Sequence, residues 1–312
     1  MAEWLCSGLQ SRLRRFDSGF SLQSNGIFMK VGIVGYGFVG KALHYGIRDE
    51  VDVIKVDPKL GSSVEDLRNQ TLDYVFVCIS TPMENDGSQS IENILNVFKD
   101  IKKNCPETII VLKSTVVPEN IEKLVKIDSD FIYNPEFLRE NHANEDFINS
   151  NLIIFGGNKK ISSSLGDFYS NFTLCETKEY IFTDHVSASF VKYTINVFLA
   201  TKVVFFNEIF NLFQASNANL DWEDFIKILS NDPRIGSSHM QVPGPDGRFG
   251  FGGACLPKDL SAIMKFADSL GIKLNVLHAV NICNNNIRAS YNTNTERENE
   301  QNISYKSEEE KN

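Results

Sequence analysis

Basic residues are outnumbered in this chain: 31 Lys and Arg stand against 40 Asp and Glu in 312 residues, a net charge of -9. A nucleic-acid-binding surface needs a basic footprint, so that class is set aside. Part of the excess is local, because Tyr291 to Asn312 carries six acids against three bases. Long apolar runs are missing as well, and none is expected to be long and charge-free enough to span a bilayer. Cysteines at ligand spacing are absent. Cys6, Cys78, Cys105, Cys175, Cys255 and Cys283 are scattered, with no CxxC. That distribution suits reduced thiols in a cytoplasmic protein better than disulfides or zinc. The histidines, His44, His142, His185, His239 and His278, have no ligand spacing, and no metal site is expected.

What is present suffices for two globular domains. Residues 1–28 do not read as part of a fold. Arg12, Arg14 and Arg15 among serines give them a faint transit-peptide character, with a leader, a tag or an unstructured extension equally open. From Lys30 the pattern sharpens. A short apolar strand, Lys30 to Val34, runs straight into Gly35-Tyr36-Gly37-Phe38-Val39-Gly40. A helix follows over Lys41 to Arg48, then a strand over Val51 to Val56 that ends in Asp57. This is a βαβ unit with GxGxxG at the strand-to-helix turn. Gly35 serves the tight turn, Gly37 the approach of a pyrophosphate, and Gly40 close packing of helix on strand. Asp57 is placed to accept hydrogen bonds from a ribose diol, which favours NAD over NADP.

The alternation continues through strands at Tyr74 to Ile79, Thr108 to Leu112, Phe131 to Tyr133 and Leu152 to Phe155. Helices read over Ile91 to Lys103 and Glu119 to Lys126. The expected fold class is α/β: a doubly wound, Rossmann-type parallel sheet over 29–183. Three strands end in small polar stretches, Ser80-Thr81-Pro82, Lys113-Ser114-Thr115 and the run from Asn134 to Glu140. Ligands bind outside the carboxyl ends of such strands, so Thr115, Glu136 and Glu140 are candidates, each equally readable as a turn or cap.

Residues 184–290 read as a central helical domain. Its first helix, Asp184 to about Ala215, is apolar on nearly every face between Val197 and Phe213. Such a helix must be buried on most sides, and a subunit interface is a natural place for it. Lys192 and Asn196 share one of its faces, pointing into a polar cavity or buried network, unless the lysine snorkels to solvent. Helices at Asp221 to Leu229 and Leu274 to Arg288 flank a Gly/Pro-rich loop, Val242 to Gly253. That loop ends in Gly250-Phe251-Gly252-Gly253-Ala254-Cys255-Leu256-Pro257-Lys258-Asp259. Pro257 opens a helix, so Cys255 should sit at its N-terminus, where orphan N–H groups and Lys258 favour a thiolate. An inert buried cysteine is the competing reading. Residues 291–312 read as a disordered polar tail.

Together these stretches resemble the UDP-glucose 6-dehydrogenase family of nucleotide-sugar dehydrogenases, also called the UDP-glucose/GDP-mannose dehydrogenase family. The resemblance runs in order through Val34 to Gly40, Lys113 to Thr115, Asn134 to Glu140, Lys192 with Asn196, Arg234-Ile235-Gly236, and Gly250 to Asp259. It implies oxidation of the sugar C6 alcohol to a carboxylate with two NAD consumed. Cys255 would be the nucleophile, first in a thiohemiacetal and then in a thioester. Glu136 would be the acid/base of hydrolysis, with a water near Thr115 and Asp259. Lys192 and Asn196 would stabilise the oxyanion.

The same resemblance implies cofactor contacts from Gly35, Tyr36, Gly37, Phe38, Val39, Gly40, Asp57, Ser80, Thr81, Pro82, Ser114, Thr115, Glu140 and Lys258. It implies substrate contacts from Glu136, Phe137, Leu138, Glu140, Lys192, Asn196, Arg234, Phe251 and Gly252. It further implies a homodimer formed through the 184–215 helix, while the composition leads to no nucleic acid or membrane partner and to a cytoplasmic protein. The sequence reads as a short form without the family's C-terminal nucleotide-binding domain. UDP-glucose is the expected substrate. GDP-mannose or UDP-N-acetylmannosamine remain open, as does a non-catalytic NAD-binding protein.

Overall fold

The structure is a computed structural model in which residues 29–306 are described. The readings of residues 1–28 and of 307–312 lie outside them. The chain forms two compact units. Unit 1 holds residues 29–80, 91–115 and 120–189; unit 2 holds 81–90, 116–119 and 190–306. Residues 184–189, which follow the boundary read from sequence at 183/184, group with unit 1. Two short loops from the first half of the chain group with the second unit.

Unit 1 is built on a seven-stranded sheet: β1 (Lys30–Val34), β2 (Asp52–Val56), β3 (Tyr74–Val77), β4 (Ile109–Leu112), β5 (Ile132–Tyr133), β6 (Ile154–Gly156) and β7 (Ile181–Thr183). The spatial order is β2-β1-β3-β4-β5-β6-β7. β1 to β5 pair in parallel, as the βαβ alternation predicts. β6 runs antiparallel to β5 and carries β7 parallel beside it, so that side of the sheet departs from the all-parallel expectation. β7 was not read from the sequence, since its exposed Ile181 and partly covered Phe182 and Thr183 give no buried-strand signature.

The connecting helices include α1 (Phe38–Gly46), α2 (Glu92–Asn104), α3 (Pro118–Val125, whose first turn groups with unit 2), α4 (Ala143–Ile148) and α5 (Lys159–Phe172). Strand residues two apart share a sheet face. Val31 and Ile33 thus pack with Tyr74 and Phe76 against Leu43, Phe147, Leu165 and Phe168. Each such aliphatic or Phe side chain contributes about 1.5–3 kcal/mol on leaving water. Val75 and Val77, which point the other way, are fully buried too, so both faces are covered.

Unit 2 consists of most of α6 (His185–Ala215) with α7 (Trp222–Ser230), α8 (Leu256–Ser269), α9 (Asn275–Ala289) and α10 (Glu296–Glu300). Contrary to expectation, α6 is by length and composition able to cross a membrane. Its buried polar side chains indicate another use: Lys192, Asn196, Lys202 and Asn207 are all buried and hydrogen-bonded within unit 2. Nor is the helix covered on every side. Phe198, Phe205 and Leu212 are 62%, 52% and 67% exposed and lie seven residues apart, with Val191 beginning the series.

The loops from the first half tie into this unit. Gln89 receives the N–H of Val117 at 3.1 Å and donates to the Tyr193 hydroxyl at 3.0 Å. Val117 packs with Tyr193, Ala262 and Ile263, and the Ser261 hydroxyl donates to the Gly87 carbonyl at 2.7 Å. The polar segment from Tyr291 is also corrected as far as 306. It forms α10, capped by Thr295, and buries Glu298 and Ile303 completely or nearly so.

Candidate active site

In unit 1 the β1–α1 turn is shaped by three glycines with distinct constraints. Gly35 has φ +91°, and a Cβ there would lie 2.7 Å from the Cys78 backbone. A Cβ on Gly40 would sit 2.2 Å from the Gly35 carbonyl oxygen. At Gly37 a Cβ would meet nothing within 4 Å, and this residue is the exposed N-cap of α1 with no side-chain cap and no acid in the first turn. An uncapped helix start beside open space is the environment a pyrophosphate needs. Asp57 follows β2. Its carboxylate accepts the Tyr36 N–H at 2.7 Å and the Lys59 N–H at 2.8 Å, which fixes it toward the turn. Tyr36 is held by a 2.5 Å hydrogen bond between its hydroxyl and His44. Phe38 packs against the sheet core.

Beyond the ends of β4 and β5 lies a second polar group that the sequence reading only half anticipated. Lys113 is fully buried. Its ammonium donates to Asn134 Oδ1 at 2.7 Å and to Tyr169 Oη at 2.9 Å, and forms an ion pair with Glu136. Tyr169 donates to Asn134 Oδ1 at 2.6 Å, and Asn134 donates to the Ile154 carbonyl at 3.0 Å. Burial lowers the Lys113 ammonium to about 7, with Cys78 and Cys175 working in the opposite direction. Lys113 was not singled out from sequence. The available signal was a lysine ending a buried strand, which must find a carboxylate. Tyr169 gave none.

In unit 2, Cys255 is the N-cap residue of α8, with Pro257 in the first turn, as the proline placement predicts. It is partly exposed and reduced. Lys192 and Asn196 do form a buried network. Lys192 donates to Asn196 Oδ1 at 3.2 Å, Asn196 donates to Asp259 Oδ2 at 2.6 Å, and Lys258 donates to Asp259 Oδ1 at 2.5 Å. Asp259 is thus flanked by an amide and an ammonium in a site that is 1% exposed, where its charge is costly unless so paired. Burial lowers the Lys192 pKa, and Asp259 and Cys255 counter it. A thiol at a helix start, a nearby buried ammonium and a fixed amide donor are the parts that form and stabilise an alkoxide on an added carbon.

Several expected contacts find other uses. Ser114 donates its hydroxyl proton to the Ile79 carbonyl at 2.6 Å, stapling β4 to the chain after β3. Leu138 packs against the unit 1 core, and Phe137 is half-buried. Glu140 is exposed and opens a short 3-10 turn. Thr115 and Ser80 end unit 1 segments, whereas Thr81 and Pro82 open a unit 2 loop. Arg234 is 87% exposed at its side chain and pairs with Asp232, in a loop whose Ile235 and Gly236 carbonyls are held by Lys202. Phe251 is a core side chain, 4% exposed, beside Ala200, Leu260 and Met264. Gly252 is required by packing: its Cβ would lie 2.1 Å from the Arg288 guanidinium. The loop is held by Asn207 on the Gly250 N–H at 2.9 Å and Asn284 on the Phe251 N–H at 2.7 Å, neither of which the sequence reading identified.

Two family models match the chain. The NAD binding domain of the UDP-glucose/GDP-mannose dehydrogenase family matches residues 60–173, and the central domain of the same family matches residues 186–286. The chain belongs to the UDP-glucose/GDP-mannose dehydrogenase family. A UDP-glucose 6-dehydrogenase of Rickettsia conorii is 32% identical over 221 residues, covering 68% of this chain and 48% of that protein. A UDP-glucose 6-dehydrogenase of Bacillus subtilis is 32% identical over 230 residues, covering 70% and 49%. The chain thus spans about half the length of these relatives. Among solved structures, a UDP-glucose dehydrogenase from Pyrobaculum islandicum superposes with a TM-score of 0.69 at 26% identity, covering 85% of this chain and 70% of that one. A GDP-mannose dehydrogenase from Pseudomonas aeruginosa shares the fold, with a TM-score of 0.56 at 24% identity over 85% and 72%. The family's N-terminal domain takes NAD, and the open Gly37 cradle with the fixed Asp57 carboxylate suits that cofactor.

Proposed function

We propose that this chain is an NAD-dependent nucleotide-sugar 6-dehydrogenase acting on UDP-glucose to give UDP-glucuronate. The observation that carries this reading is Cys255 at the N-cap of α8 beside the Lys192–Asn196–Asp259–Lys258 network. NAD bound at the Gly35–Gly40 turn and Asp57 would supply hydride acceptance, once for each two-electron oxidation. Burial favours the neutral amine of Lys192; in that form it takes the C6 hydroxyl proton as the alcohol becomes an aldehyde, and it is then an ammonium facing the oxygen. The Cys255 sulfur adds to that carbonyl carbon, and Asn196 and Lys192 hold the resulting oxygen. Loss of a second hydride leaves a thioester on Cys255. Glu136 takes a proton from water, which attacks the thioester and releases carboxylate and thiol. Glu136 is held by an ion pair with Lys113, which keeps a carboxylate oxygen available as a proton acceptor.

The exposed Phe198, Phe205 and Leu212 series supports a homodimer through α6. Among the described residues, the thiols of Cys78, Cys105, Cys175, Cys255 and Cys283 are not in disulfides, which suits a cytoplasmic enzyme.

The test is NADH formation by the purified chain with UDP-glucose, GDP-mannose and UDP-N-acetylmannosamine in turn. Two NADH per UDP-glucose is expected. Two NADH from another sugar reassigns the substrate, and NAD binding without turnover on any of the three overturns the dehydrogenase reading. Cys255→Ala is expected to lower acid formation at least a thousand-fold with NAD affinity unchanged. Parallel loss of both would make the cysteine structural.

A further inference from the structure

The segment from Thr295 to Tyr305, polar in sequence and folded in the structure, meets the glycine loop that leads to Cys255. Glu298 lies at its centre and is 0% exposed. One carboxylate oxygen accepts three donors: Arg288 at 2.7 Å, the Tyr305 hydroxyl at 2.7 Å and the Gly253 N–H at 3.2 Å. The other accepts the Thr295 N–H at 2.7 Å, while the Thr295 hydroxyl caps the Glu298 N–H. Arg288 is itself 1% exposed. It pairs with Asp246 at 2.8 Å and lies over the rings of Tyr291 and Tyr305. The Gly252 Cα rests on this ion pair, and Gly253 turns away with φ +77°. Cys255 is two residues on. The far end of the segment is tied down too, by the Met83 N–H donating to the Gln301 carbonyl at 3.0 Å and by Asn302 donating to the Met83 carbonyl at 3.2 Å.

We propose that the 295–305 segment is a clamp on the cysteine loop, with Glu298 and Arg288 as positioning residues that hold Cys255 at the start of α8. A purely packing role would be met more cheaply by apolar side chains, because a buried ion pair costs desolvation that hydrophobic replacements avoid. What an apolar replacement cannot do is accept the N–H of Gly253, a residue with no side chain of its own to hold it. Burial works against the charge on Glu298. The Thr295 N–H, the Tyr305 hydroxyl and Arg288 outweigh it and hold the carboxyl down at about 2, so the clamp is charged under ordinary conditions.

The consequence for turnover rests on the nucleophile role given to Cys255; the clamp itself does not. The test uses the full chain and Glu298→Ala. Hydrogen exchange at the Gly250–Cys255 amides is expected to speed up at least ten-fold, with α6 amides unchanged. Iodoacetamide alkylation of Cys255, read by mass spectrometry against Cys283 in the same molecule, is expected to slow at least three-fold as the sulfur leaves the helix start. The kcat for NADH formation is expected to fall about ten-fold at an unchanged KM for NAD. If Glu298→Ala does not fold, Tyr305→Phe removes one donor alone and is expected to raise loop exchange two- to five-fold. Loop exchange and a Cys255:Cys283 ratio both equal to wild type would overturn the clamp. A wild-type chain that makes no NADH would sink the dehydrogenase reading, with the exchange and alkylation results still deciding the clamp.

Discussion

At the scale of single residues, the turn glycines separate stability from cofactor affinity. Gly40→Ala forces a methyl against the Gly35 carbonyl and is expected to cost about 1–3 kcal/mol of stability, read by urea unfolding. Gly37→Ala places its methyl in open space, so stability should stay within about 0.5 kcal/mol of wild type. The same methyl occupies the phosphate approach, and NAD is expected to bind about ten-fold more weakly, a loss of about 1.4 kcal/mol by titration calorimetry. Equal effects of the two substitutions on stability would contradict this account of the turn. Glu298 gives a residue-scale pH dependence. Its carboxyl lies at about 2 in the fold against an ordinary 4.5. A depressed carboxyl stabilises the fold above the unfolded value, and that contribution is lost as pH falls from about 4.5 toward 2. The loss is on the order of 3 kcal/mol. Wild type should therefore lose more urea-unfolding stability than Glu298→Gln between pH 5 and pH 3, and equal losses would show that the carboxylate contributes nothing.

At the scale of elements, α6 carries two jobs on different faces. One face presents Lys192 and Asn196 to Asp259, and another leaves Phe198, Phe205 and Leu212 in water. Covering three such side chains is worth about 1.5–3 kcal/mol each, a strong drive to pair. Phe198→Glu with Phe205→Glu is expected to convert a dimer to monomer in sedimentation at micromolar concentration, and a monomeric wild type would remove the interface. The sequence made some elements readable and hid others for physical reasons. β1 to α1, the Pro257 helix start and the Lys192/Asn196 pair were legible because glycine, proline and i,i+4 spacing act locally. α5, short β7 and α10 were not. Their stability comes from partners distant in sequence, as Glu298 shows by needing Arg288 and Tyr305 to be buried at all. Lys113 belongs to the same group, since nothing near it in sequence announces Tyr169.

At the scale of the whole molecule, unit 2 draws on three separated stretches of chain. A fragment of residues 184–306 retains α6 to α10 but loses Val117 from a core of Tyr193, Ala262 and Ile263, and loses Gln89 from the Tyr193 hydroxyl. Such a fragment is expected to show no cooperative thermal transition by circular dichroism. A sharp melt would mean that the early loops are dispensable. Because residues 81–90 and 116–119 are stitched into a body whose bulk is synthesised much later, the ribosome must deliver the chain through about residue 306 before that body can close. A gene fusion or exchange with one breakpoint after the sheet would hand the recipient a helical half with holes in it.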